Sequence, residues 1–438
     1  MQDYFYELVD QIIAYTQGDE VLLLSLEGET SDFVRLNHAA IRQAGNVNQN
    51  QLSLTLIKQD KQAASTLELS RNSEQDLMAC QHHLNRLRQQ ITHLPSDPFI
   101  NYAREVNASE TLLEHPVPSS QEALQHIQSL SCHLDVVGIW ASGHIYRGFA
   151  NSFGQKNWHS QNSFNFDWSI YQEADKAVKC GYAGFDWEPD VLEEKFLQAS
   201  EASQRLKLPN KTIQPGQYRV YLSPEANREL LDLMSWGGFG LKSHKSQHTP
   251  LIKMINDHWQ LHPTFSLSEN HHAGLTPSFT QHGFIKPEQV SLIKQGKYDS
   301  CLINPRSAKE FDRTTNCNHE RPDSLTLAPG TLDQDTILST LDTGIYINNL
   351  WYCNFSDHNH CRITGMTRFA CFWVEHGEIV APINVMRFDD SIYNIFGKNL
   401  AGLTRQQETL FDAGSYEQRS TASYQIPGAL VNDFALTL

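Results

Sequence analysis

The chain has 438 residues, 40% of them hydrophobic and 19% charged, with 50 acidic against 34 basic side chains and a net charge of −16. That length predicts two or three domains of about 150 residues, and the low charge fraction excludes a disordered or coiled-coil chain. The acidic balance argues against direct nucleic-acid binding, because phosphate contacts need a basic face and no basic run exceeds two residues.

The first residues are acidic and lack the layout of a signal peptide. No apolar run approaches the ~18 residues needed to cross a bilayer. The eight cysteines form no CxxC pair. Together these features predict a cytoplasmic protein with reduced thiols and no membrane association.

Phe5, Leu8, Val9, Ile12 and Ile13 recur at helical spacing. Three short alternating runs follow, Val21–Leu26, Asp32–Leu36 and Leu52–Ile57, and read as antiparallel strands. Ser73–Leu94 returns to helical spacing. A helix is expected over Ser119–Leu130, with Ser120 as cap and Glu122 in the first turn. Val136–Phe166 is strand-like around a turn at Asn151–Gly154, and Phe164, Phe166, Trp168 and Ile170 alternate strictly. Glu188–Arg205 reads as a helix, and the turn-rich Pro209–Gly216 is the best domain boundary.

Beyond it, Tyr218–Leu222 is a strand, and Ser223-Pro224-Glu225 starts a helix that Gly237 and Gly238 end. Strand patterns dominate the rest, most clearly Gly344–Phe355 and Arg368–Val385. Glu375–Glu378 reads as a hairpin turn, and Pro382 marks a free edge or a bulge. The fold class is α+β: an N-terminal α/β domain (1–212) and a mostly antiparallel β C-terminal domain (213–438).

No Walker A loop, GxGxxG or GxSxG occurs. The 20 histidines invite a metal reading. His244 and His248 are four apart, as are His258 and His262, which would share a face on a helix. Neither pair has the Glu of HExxH, and both read as solvated surface. Cys353, His358, His360 and Cys361 offer two thiols and two imidazoles, but at a spacing unlike any zinc finger or ribbon, so a polar loop is the plainer reading. Cys371 alternates with aromatic neighbours and reads as a packed strand thiol.

A set of stretches stands in one order through the second half: Tyr218–Leu231 (YRVYLSPEANRELL), Gln281–Ile285, Val290–Gly296, Cys301–Asn318, Thr343–Tyr352, Arg362–Arg368, Val374–Ile383, Met386–Ser391 and Ile426–Val431. This pattern resembles the TldD/PmbA family, whose members are also labelled modulators of DNA gyrase. The resemblance covers most of 210–438 and is weaker over 1–209. It implies zinc peptidases that pair a catalytic TldD-like chain with a TldE/PmbA-like chain and cleave small or unfolded peptides. In catalytic members an HExxxH motif occupies the helix after the SPEA-like strand end, and a Cys near the C-terminus completes the site. Here Glu229–Trp236 has no His, and Gly414–Gln425 has no Cys.

The expected function is therefore the non-catalytic TldE/PmbA-like subunit of a cytoplasmic zinc peptidase. It has no catalytic residue and no cofactor of its own, with zinc in a TldD-like partner. A homodimer alone and a heterodimer with that partner are expected. An extended peptide is expected to add to a sheet edge near Asn348, Asn349, Leu350 and Trp351 and near Thr364, Gly365, Met366, Thr367 and Arg368. Two alternatives stand beside this: a self-sufficient metallopeptidase with displaced ligands such as His258, His262, Cys353 and Cys361, or a non-enzymatic peptide-binding or scaffold dimer.

Overall fold

The computed structural model describes residues 1–173 and 176–438. Among these, two sheets carry the molecule. The first uses β1 (Val21–Asn37), β2 (Ala40–Lys58), β3 (Lys61–Glu68), β4 (Ser109–Leu113), β5 (Asp135–Asn151), β6 (Lys156–Tyr171) and β7 (Ala177–Gly184). Its order is β3-β2-β1-β5-β6, and β4 and β7 share the far edge of β6 end to end. All pairings are antiparallel except that of β4 with β6.

The expected Val21–Leu26 and Asp32–Leu36 runs are one 17-residue strand, because the polar middle of β1 is itself buried. Glu29 and Ser31 are nearly inaccessible and bond to each other at 2.7 Å. β1 pairs without a break with β5 on one side and with β2 on the other, up to a bulge after Arg35.

Four helices cover this sheet: α1 (Gln2–Ile13), α2 (Ser73–Ile91), α3 (Ser120–Leu130) and α4 (Pro189–Arg205). α1 buries Phe5, Leu8, Val9 and Ile12 against β1 and β2, together with Cys80, Leu84 and Leu87 of α2. The cap of α3 is Ser119, one residue before the expected Ser120. Glu122 returns the bond as a capping box. Phe164, Phe166, Trp168 and Ile170 all point into the core, where Phe166 and Trp168 stack at 4.6 Å and Phe196 of α4 closes on Trp168 at 5.2 Å.

The second sheet uses β8 (Gly216–Leu222), β9 (Leu267–Asn270), β10 (Gln289–Lys294), β11 (Lys297–Tyr298), β12 (Ser324–Leu327), β13 (Gly344–Ile347), β14 (Asn349–Asp357), β15 (Arg362–Arg368), β16 (Phe372–Glu375), β17 (Glu378–Pro382), β18 (Arg387–Ser391), β19 (Leu400–Phe411) and β20 (Ser423–Leu436). Its main path is β11-β10-β9-β12-β20-β8-β13-β16-β17, with β18-β15-β14 branching from β20. β17 ends the path, so Pro382 sits on an edge strand as its missing N–H requires. The expected Gly344–Phe355 strand divides at Asn348: β13 stays in the main path and β14 leaves with β15. α5 (Pro224–Met234) packs on β14 and β20, and the short α6 (Leu241–Lys245) and α7 (Ile252–Asn256) follow it.

The two sheets meet through a polar seam. The Arg419 guanidinium, 6% exposed, donates to Ser163 Oγ at 2.7 Å and to Gly143 O at 3.2 Å. Gly143 has φ +135°, and a Cβ there would lie 2.1 Å from Thr30 O, so only glycine permits this approach of β5 to β1. Lys195 of α4 pairs with Glu408 of β19 across the same seam.

Buried beside it, His159 of β6 lies directly opposite Arg147 of β5. Burial and the Arg147 and Lys286 charges pull His159 down to about 4 from its ordinary 6.5. The unfolded imidazole therefore takes up its proton before the folded one does. Its contribution to stability is present above pH 6.5 and is lost as pH falls from 6.5 toward 4. The expected loss is up to about 3 kcal/mol. Urea unfolding measured between pH 4 and 7 is expected to show it, with a flatter profile in His159→Gln.

Candidate functional site

α5 begins where the sequence places it. Ser223 Oγ accepts from Ala226 N at 3.2 Å, Pro224 sits in the first turn, and Glu225 meets the positive helix end. One face buries Ala226, Leu230, Leu231, Leu233 and Met234 in the C-terminal core, and Asn227 Nδ2 donates to Pro427 O at 2.9 Å. The opposite face carries Glu225, Arg228, Glu229 and Asp232.

Arg228 lies among these acids, 3.4 Å from Glu225 Oε2 and 3.0 Å from Glu229 Oε1. Its guanidinium also covers the Tyr424 ring at 5.5 Å. Asp232 accepts from Tyr424 OH at 2.9 Å and pairs with Arg321 at 3.0 Å. Burial raises the Glu225 and Glu229 carboxyls, which Arg228 only partly offsets. Burial works against the Arg228 charge too, yet the acids beside it hold it above its ordinary value. From the other half Lys179 of β7, itself 3.3 Å from Asp167, adds a second positive charge facing these acids.

The strand segments singled out in the sequence are neighbours. Asn349 pairs with Arg368, Leu350 with Thr367, and Trp351 with Met366, so β14 and β15 form one antiparallel ribbon. β14 has no partner on its other side among the described residues. Asn348, just before it, donates to Lys179 O at 3.0 Å and so links the ribbon to the first sheet. Leu350, Gly365 and Thr367 are buried, whereas Trp351 is 49% exposed and Tyr352 76%. Arg368 stacks on the Trp351 ring at 5.1 Å. The register breaks between Trp351 and Asn354, and Tyr352 takes a left-handed φ of +57° there. The sequence pointed to the segments, but neither this exposed aromatic pair nor the polar face of α5 was foreseen.

The histidine pairs do not share helix faces. His258 is exposed beyond the end of α7, and His262 Nδ1 lies 2.8 Å from Thr264 Oγ1. His244 corrects the expectation of a solvated pair: it is buried, with its Nε2–H donating to Gly238 O at 2.6 Å, while His248 is exposed. Burial pushes the Cys353 thiol up to about 12 and raises that of Cys361. His360 is engaged by Asp357 at 2.8 Å. Among the described residues no three His, Cys, Asp or Glu side chains come together as a metal site. Cys371 is buried as expected, its thiol up at about 11 and donating to Arg368 O at 3.2 Å.

Residues 215–438 match the family model of the PmbA/TldA metallopeptidase C-terminal domain, and the chain belongs to the TldD/PmbA family. No curated protein matches the sequence. Three solved structures share its fold along nearly the whole chain. TldE from Thermococcus kodakarensis is 13% identical with a TM-score of 0.78, covering 99% of this chain and 100% of that one. A candidate modulator of a DNA gyrase from Thermotoga maritima is 16% identical with a TM-score of 0.75, at 99% and 100% coverage. A third protein, from Bacteroides thetaiotaomicron and also described as a candidate modulator of DNA gyrase, is 14% identical with a TM-score of 0.75, at 99% and 98% coverage.

A metallopeptidase needs imidazole, thiolate or carboxylate donors for its ion, and a free carboxylate to take a proton from the bound water. α5 presents only carboxylates, and Arg228 and Arg321 already engage them. A dication set among them would meet the Arg228 guanidinium as a like charge. The residues on this helix do not fit such an ion.

Arg228→Met removes the charge that Glu225 and Glu229 share. These side chains keep some solvent contact, so the expected loss is about 1–3 kcal/mol, below that of a fully buried pair. The triple variant R228M/E225Q/E229Q is expected to recover most of it in urea unfolding, because no unpaired charge remains.

Proposed function

We propose that this chain is a TldE/PmbA-type subunit that presents an extended peptide to a metal-bearing partner and does not itself cleave it. The observation that carries this reading is the polar face of α5. In the family resemblance that helix supplies the metal ligands, whereas here an arginine neutralises its carboxylates. The free edge of β14 supports the peptide-holding part of the role. Unpaired main-chain groups take up an extended strand without reading its sequence, and exposed Trp351 and Tyr352 provide apolar contact for alternate side chains. The eight cysteines are all free, which suits the reducing cytoplasm. Among the described residues no helix is long and apolar enough to cross a membrane.

The test mixes the purified chain with an HExxxH-bearing relative from the same genome. The reading expects a stable heterodimer in gel filtration and chelator-sensitive cleavage of unfolded peptide by the mixture. This chain alone is expected to show neither stoichiometric zinc nor cleavage. Zinc-dependent cleavage by the chain alone sinks the proposal. Trp351→Ala combined with Arg368→Ala is expected to weaken peptide capture about tenfold, roughly the worth of a lost aromatic anchor, while the heterodimer still forms.

A further inference from the structure

Where the first sheet meets the loops of the second half, the structure leaves a partly open cavity of about 220 Å³. None of its lining residues belongs to α5, β14 or β15. At ~30 Å³ per water it has room for about seven waters, the bulk of one amino acid or a small dipeptide.

Its wall carries charge of both signs. Arg147 of β5 donates only to main-chain oxygens, Tyr146 O at 2.8 Å and Gly28 O at 3.4 Å. Lys286 is 8% exposed, and its ammonium makes one long contact, 3.4 Å to Thr276 Oγ1. Asp323 uses its main-chain N–H on Glu269 at 3.1 Å, and among the described residues no donor reaches its carboxylate. Glu27 is already held by Gln281 at 2.6 Å and Gln418 at 3.0 Å. Among the described residues no ion pair within 4.0 Å joins Arg147 or Lys286 to any of these acids. Burial pulls the Lys286 ammonium down, and Asp323 and Glu269 oppose that pull. Behind them His159 and His271 are held neutral, down at about 4 and about 3, and add no charge near pH 7.

A buried charge without a partner is costly, and removing it from water is offset only by a close opposite charge. Here two cations and two carboxylates, Glu27 and Asp323, border the same space without closing on one another, and of the two acids only Asp323 has no hydrogen-bond donor among the described residues. A simple anion would face Asp323 as a like charge, and a simple cation would face Arg147 and Lys286. A ligand with both charges meets all three. We infer that this cavity binds a small zwitterion, a free amino acid or a dipeptide, with its carboxylate between Arg147 and Lys286 and its ammonium on Asp323. The site does not depend on a peptidase partner.

Calorimetry on the full chain tests this with four probes: L-alanyl-L-alanine, its N-acetyl form, its C-terminal amide and inorganic phosphate. The dipeptide is expected to bind one to one and to raise the melting temperature with concentration. Blocking either end is expected to weaken binding at least about tenfold, or about 1.4 kcal/mol. Lys286→Gln is expected to weaken the dipeptide and its N-acetyl form alike, whereas Asp323→Asn weakens the free dipeptide and its C-terminal amide and leaves the N-acetyl form unchanged. The four probes on the unaltered protein decide the matter even where a variant does not fold. No dipeptide binding at millimolar concentration overturns the inference. So does phosphate or either blocked dipeptide binding as tightly as the free one.

Discussion

The Arg419 guanidinium holds the two sheets to one another. It enters from the loop between β19 and β20 and ends among Ser31, Gly143 and Ser163, three positions on three different strands of the first sheet. Burial lowers its pKa to about 10, while Glu29 works to keep it charged. A guanidinium so enclosed is tolerable only where carbonyls, hydroxyls and a carboxylate surround it. That requirement explains the local sequence of β1, where Glu29 and Ser31 occupy positions an ordinary sheet would give to apolar residues. It also fixes Gly143, since the carbonyl it offers Arg419 lies where a Cβ on β5 would strike Thr30 O of β1.

The same loop bears on the chemistry. In the family resemblance this segment supplies the cysteine of a zinc site, facing the helix that supplies the histidines. In this chain the loop supplies Gln418 to Glu27 and Arg419 to the first sheet, and the strand after it supplies Tyr424 to Asp232. Both walls of such a site are thus built from groups that bond to one another. Ligands that must bind an ion have to keep lone pairs free, whereas here each acid on α5 already faces a cation or a phenol. Structural cohesion stands where a catalytic site would need unsatisfied donors.

What the sequence disclosed and what it hid divide along one physical line. Strands with a single apolar face were legible: Phe164, Phe166, Trp168 and Ile170 could be placed from alternation alone. α5 was legible from Ser223, Pro224 and the glycines after it, because capping is local. The unity of β1 was not, since its buried middle is polar and its partner Arg419 lies nearly 400 residues away. His244 likewise looked solvated because the carbonyl that satisfies it comes from a turn. Lys286 looks like any surface lysine until folding sets it beneath β5. Pattern reading assumes that buried means apolar, and it fails wherever a distant partner makes a polar residue buriable.

The polar seam therefore has two parts with different degrees of closure. Around Arg228 each charge has an opposite neighbour within bonding reach, and around Arg419 hydroxyl and carbonyl oxygens of the first sheet take up the guanidinium and join the halves. Around Arg147, Lys286 and Asp323 the charges are held apart by sheet registers and loop anchors that serve the rest of the fold. Arg147 is fixed by pairing with both β1 and β6, and Asp323 by its main-chain bonds to Glu269 and Ser423. The Lys286 main chain is anchored elsewhere again, its N–H donating to Ser278 O at 2.7 Å. With the three main chains anchored apart, charges of both signs already border the cavity before a ligand arrives, and that lowers the cost of binding a molecule of both signs.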